Sequence, residues 1–217
     1  MTAVARETVT IGRTVEEAVA LGAAELGLRV EEATVEVLDT GGKGWLGLGT
    51  QKARVRVGRP PKGDAAVRFL KDLAGVLGST IDVDMQPPAG EGEPWMVTVA
   101  TPDAALWIGH RGHTLDAVRV LCDASATRVS GTRDRLALDV GGYRERRESM
   151  LQGMAKMAAD RARRSGREVV LEAMNPADRR IVHLTVQGLA GVESVSRGDE
   201  PARRVVVRPA TVPPDEN

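Results

Sequence analysis

Apolar residues recur along this chain in two periods. A spacing near 3.6 puts one stripe of a helix in a core, and strict alternation does the same for one face of a strand. Thr8 to Ile11 alternates as a short strand. Thr14 followed by Glu17 has the spacing of a capping box, and it opens an Ala/Leu/Val-rich helix that Gly27 ends. Ala33 to Leu38 and Lys52 to Val57 alternate again, around a glycine-rich stretch from Gly41 to Gly49. The predicted order is strand, helix, strand, strand. Gly58-Arg59-Pro60-Pro61-Lys62-Gly63 is rich in breakers and reads as a linker.

Beyond it, Asp64 to Leu77 carries Val67, Leu70, Leu73, Ala74 and Leu77 on one helical stripe. Thr80 to Met85 and Trp95 to Ala100 read as strands. Thr101-Pro102 reads as an N-cap and first-turn proline, opening a short helix to Ile108. A glycine loop, a helix from His113 to about Thr127 and a strand from Arg135 to Val140 complete this block. The last block starts with a long basic helix, Tyr143 to Ser165, stopped by Gly166. A strand from Glu168 to Glu172, a helix capped by Asn175-Pro176, and strands near Val192 to Val195 and Arg203 to Val207 follow. The pattern predicts an α+β chain of three small domains over 1–58, 64–141 and 142–208, with a linker at 59–63 and a flexible tail at 209–217.

Composition narrows the function classes. The 217 residues carry 30 basic and 30 acidic groups, so blanket coating of a polyanion is not expected. A mild surplus sits late, with 14 basic and 11 acidic residues in 141–217. Aromatics are 2%, which leaves too few rings for a base-stacking platform. The single cysteine, Cys122, excludes an internal disulfide and a multi-thiolate zinc site. No apolar run spans a bilayer and the N-terminus is polar, so a cytoplasmic protein is expected.

Ile108-Gly109-His110-Arg111-Gly112 joins two helices back to back. Such a junction needs backbone angles that glycine permits, and it leaves free N–H groups at the start of the second helix. A phosphate can approach those groups, and Arg111 adds charge and a fork of donors. The bare Gly-x-x-Gly spacing also suits a plain helical turn. Its setting between helices and strands, over residues 64–141, resembles a KH domain in its αββααβ, type II-like order. That resemblance implies a grip on about four nucleotides of single strand. Ile108, Leu115, Val118, Val97 and Val99 are candidate aliphatic base contacts, with plain core as the alternative.

Arg179 and His183 lie four apart on a predicted helix, one turn from each other on one face. Together they suit one phosphate. The alternative is a satisfied structural histidine, with Arg179 paired to Asp178 or Glu172. The stretch from Asn175 to His183 resembles the signature of the R-three-H domain, a single-stranded nucleic-acid binder built on a long helix and a small sheet. Arg180, Arg144 and Arg147 are secondary candidates nearby, and Lys43 and Trp45 in the first block.

The first block, with Thr14-Val15-Glu16-Glu17-Ala18 and then Lys43-Gly44-Trp45-Leu46-Gly47-Leu48-Gly49, resembles the βαββ-like Jag-N domain. Members usually carry Phe where Trp45 stands. All three together resemble the Jag family over almost the whole chain. The resemblance implies an RNA-binding regulator, linked to cell elongation and division, peptidoglycan synthesis and sporulation. It also implies a small single-KH protein, and membrane-associated cell-wall proteins, as partners. Many relatives have a long linker after the first domain; here it is a few residues. Two other readings stay open: a protein-interaction scaffold, and a single-stranded DNA binder. Gly41 to Gly49 does not fit a Walker or dinucleotide spacing. His110 and His113 lack a third ligand apart from Asp116. Neither catalysis nor a cofactor or metal is expected.

Overall fold

The computed structural model describes residues 6–43 and 50–210. The chain forms two compact units, 1–141 and 142–217.

Among the described residues the first unit holds two three-stranded sheets and one two-stranded ladder. In the first, β1 (Glu7–Gly12), β5 (Ala53–Gly58) and β2 (Thr34–Asp39) are antiparallel, in the order β1-β5-β2. Helix α1 (Val15–Glu25) covers the face carrying Thr10, Val55 and Val57. Thr14 caps α1 by accepting from the Glu17 N–H at 3.2 Å. The expected capping box is not closed, because the Glu17 carboxylate accepts from the Arg13 N–H at 2.7 Å instead. Gly27 ends the helix with a left-handed φ of 65°. Two short strands, β3 (Gly42–Lys43) and β4 (Thr50–Gln51), pair between β2 and β5.

The second sheet has the order β6-β7-β8, from Asp82–Gln86, Trp95–Ala100 and Leu136–Val140. β6 and β7 are antiparallel, and β7 and β8 are parallel. Parallel neighbours need a crossover. Helices α3 (Ala104–Ile108) and α4 (His113–Ser130) make it, and α2 (Lys62–Leu77) packs beside α4. Val97, Val99, Leu138, Val140, Leu70, Leu115 and Cys122 form the core beneath them. Burial pushes the Cys122 thiol up to about 12, so it behaves as a small hydrophobe.

The last two residues of the expected linker are helical. Gly58 ends β5, and α2 begins at Lys62 rather than Asp64. Gly63 belongs inside the helix because the Trp95 ring lies against it; a Cβ there would meet that ring at 2.5 Å. Lys62 is buried, bonded to the Asp134 carbonyl and ion-paired with Asp123 at 2.7 Å. Arg59 donates to the carbonyls of Leu26, Arg128 and Val129, joining the two sheets' elements. Glu32, buried between Arg29 and Arg128, adds an ion pair to each. Burial alone raises a carboxyl's pKa. Hydrogen bonds from Arg128, the Arg29 backbone and the Arg29 side chain outweigh it and hold Glu32 at about 2. Helix α3 starts two residues later than Thr101-Pro102 suggests, with Asp103 at its N-cap; the Thr101 hydroxyl donates to the Thr80 carbonyl and accepts from the Asp103 N–H in the turn before it.

In the second unit, α5 (Tyr143–Ser165) lays a stripe of Leu151, Ala155, Ala158, Ala159 and Ala162 on a core with α6 (Pro176–Gln187). The antiparallel sheet is β10-β11-β9, from Val192–Arg197, Arg204–Pro209 and Val169–Ala173. The expected tail begins too early: Pro209 closes β11, and residues 211–217 lie outside the described part.

Candidate nucleic-acid interface

The glycine loop is a chain of left-handed backbone. Gly109 has φ 68°, Arg111 φ 55° and Gly112 φ 84°. Arg111 is the one described non-glycine residue with positive φ, a conformation that costs of order 1 kcal/mol. Gly109 cannot be replaced without movement, since a Cβ would sit 2.0 Å from the Thr114 hydroxyl. Gly112 occupies the N-cap of the 18-residue α4 and leaves it without a side-chain cap. The Gly112 and His113 N–H groups donate to the Gly109 and His110 carbonyls, and the helix start presents its partial positive charge to an anion with no side-chain cap. His110 is exposed, and Ile108 and Arg111 are half-buried. The His110 and His113 rings lie edge to face, 6.0 Å apart. Of the candidate base contacts, Leu115, Val118, Val97 and Val99 are core residues, leaving Ile108 with exposed surface.

Arg179 and His183 share one face of α6, but their polar atoms are engaged. The Arg179 side chain is 9% exposed. Its Nη1 donates to the Met174 carbonyl at 2.7 Å, and its fork closes on the Glu200 carboxylate at 2.5 and 3.3 Å. The partner is therefore Glu200, not Asp178 or Glu172. Asp178 is held by Arg147, at 2.7 Å from Nη2, and its own N–H donates to Asn175. Arg147 is committed to that buried pair, which fastens α5 to the start of α6, and offers no open fork. His183 lies between two serines, Nδ1 at 2.7 Å from Ser194 Oγ and Nε2 at 2.8 Å from Ser196 Oγ. Burial, then the charges of Arg179 and Arg203, lower its pKa below the usual 6.5 and keep the ring neutral.

Above these residues is an open depression lined by Pro176, Arg179, Arg180, His183, Leu184, Ser196 and Arg203. Arg180, Arg203 and Leu184 are exposed there. Arg144 is exposed on α5. Lys43 contributes its backbone to β3, and Trp45 lies outside the described residues. Sequence reasoning missed Glu200, Ser194, Ser196 and Leu184. The alternation of Ser194 and Ser196 on one strand face was the available signal; the acidic partner 21 residues from Arg179 left none.

Comparison with known families matches residues 10–59 to the Jag N-terminus and residues 149–209 to the R-three-H domain. A protein of Clostridium symbiosum named RNA-binding protein KhpB is 35% identical over 196 residues, 90% of this chain and 88% of the relative. The Bacillus subtilis protein of the same name is 30% identical over 206 residues, 93% of this chain and 98% of the relative. The chain belongs to the Jag family. A Streptococcus pneumoniae member, also named RNA-binding protein KhpB, aligns over 50% of this chain and 33% of its own length, at 33% identity. Both matched segments of the Jag chain fall on the elements described above: β1 to β5 with α1 in the first, and most of α5 through β11 in the second. No helix among its described residues is long and apolar enough to cross a membrane.

Proposed function

We propose that this Jag-family chain is a single-stranded RNA-binding regulator. The KH domain is assigned to 64–141 and grips backbone at Ile108, Gly109, His110, Arg111 and Gly112. A second contact is the depression built on Arg179 and His183, in a domain assigned to 142–208. The observation that carries this reading is the uncapped start of α4, approached through left-handed glycines that keep side chains away from its N–H groups. The relatives named as RNA-binding proteins support the choice of ligand. We further propose, from the resemblance to the Jag family alone, that it acts in control of cell elongation, division and peptidoglycan synthesis, with a small single-KH protein as partner.

The test is fluorescence anisotropy with a short single-stranded RNA, comparing wild type with Arg111→Glu. This variant puts a carboxylate in the loop and spares Gly109, whose replacement would strain the fold. We expect at least about a tenfold loss of affinity, of order 1.4 kcal/mol, with the circular dichroism spectrum unchanged. Equal binding by the two folded proteins would remove the loop from the interface. A DNA of the same sequence that competes as well as RNA would favour the single-stranded DNA reading, because the 2′-hydroxyl is what separates the two.

A further inference from the structure

The second contact proposed above has an unexpected division of labour. A buried arginine whose fork already holds a carboxylate is a poor phosphate ligand. A phosphate would have to expel Glu200 and leave that carboxylate unpaired beside it. His183 is similarly spent, with both ring nitrogens on serine hydroxyls. The same depression contains two guanidinium groups under no such constraint. Arg180 and Arg203 are exposed, and among the described residues neither side chain has an ion pair or hydrogen bond.

Taking single-stranded RNA binding at this depression as the premise, we propose that Arg180 and Arg203 bind the phosphates, with the Ser196 hydroxyl, while Arg179 and His183 are positioning residues. The geometry gives each a task. Glu200 lies three residues before Arg203 in the turn between β10 and β11, so the Arg179 fork fixes the segment that presents Arg203. The Met174 N–H donates to the Arg203 carbonyl at 3.3 Å and holds the same segment from the other side. With its proton on Nε2, His183 donates to Ser196 Oγ and leaves the hydroxyl hydrogen for a phosphate oxygen. Exposed Leu184 and Pro176 provide apolar surface beside the cations, suited to the face of a base. The ligand class is the sugar-phosphate backbone of a single strand, held by two cations in one open hollow.

The two views of Arg179 predict opposite signs for one charge-neutral change. Glu200→Asp keeps the carboxylate but withdraws it from the fork by one methylene. If Arg179 positions Arg203, binding weakens, by about threefold or more; if Arg179 is the phosphate ligand and Glu200 occupies its site, binding tightens. Affinity for a short single-stranded RNA is measured in the full chain across a potassium chloride series. Arg180→Ala and Arg203→Ala are each expected to weaken binding about three- to tenfold and to flatten the log–log salt slope by about 0.7, with melting temperature unchanged. Both replace exposed side chains, so they decide the matter even if Glu200→Asp proves unstable. Tighter binding by Glu200→Asp, or unchanged slopes in both alanine variants, overturns this division of labour. If all three variants, and Arg179→Lys as well, bind like wild type, the depression is no RNA site, and the premise falls with the inference.

Discussion

His183 shows how a single residue's chemistry is set by its surroundings. Its ring is enclosed by Ser194 and Ser196, with Arg179 and Arg203 near enough for their charges to act on it. The folded-state pKa is therefore below 6.5, while an unfolded histidine protonates near 6.5. Between those values the unfolded chain binds more protons, so stability rises with pH in that window. The contribution is complete above about pH 6.5 and is lost as pH falls through the lower native value. An NMR titration should place the His183 inflection below 6.5. Thermal melts should show a drop below neutral pH that His183→Gln reduces. An inflection above 6.5 would mean that the ring faces solvent or an acid.

Glu32 and its two arginines work at the scale of elements. The carboxylate is buried at the turn before β2, and its partners come from the same turn and from α4. Glu32→Gln keeps the shape and removes the charge. Because both guanidinium groups are half-exposed, we expect roughly 1–3 kcal/mol of destabilisation rather than the full cost of breaking a buried pair. The contribution of Glu32 is present above pH 4.5 and is lost as pH falls toward about 2. Urea unfolding of wild type and Glu32→Gln at pH 7 and pH 3 checks both, and the difference between the two proteins should shrink at the lower pH. Elements were also the most legible level of the sequence. The strand Trp95–Ala100, the long helix Tyr143–Ser165 stopped by Gly166 and the Asn175 cap, which accepts from the Asp178 N–H, all read directly from the local sequence. The segment around Lys62 did not, because a glycine under a tryptophan ring has the same letter as a glycine in a linker. The Gly-x-x-Gly loop was legible as a spacing. Its left-handed Arg111 and the Glu200 in the Arg179 fork were not: no residue letter marks a non-glycine positive φ, and Glu200 lies 21 residues from Arg179.

Over the whole molecule, zero net charge makes the salt dependence of RNA binding diagnostic. About four phosphates at the glycine loop and two at the depression give a log–log slope of about −4 for a single strand long enough to reach both. A slope beyond about −6 would indicate diffuse coating of the surface, contrary to the two-site reading. A slope near −3 would assign the whole interaction to the loop. The Arg59 side chain adds a matter of timing. It grips Leu26 on one side and Arg128 and Val129 on the other, and Val129 lies 70 residues further along the chain. On a ribosome, where the chain emerges from its N-terminus, the first sheet appears long before those last acceptors do. The bonds from Arg59 to Arg128 and Val129 can therefore close only after α4 has been made.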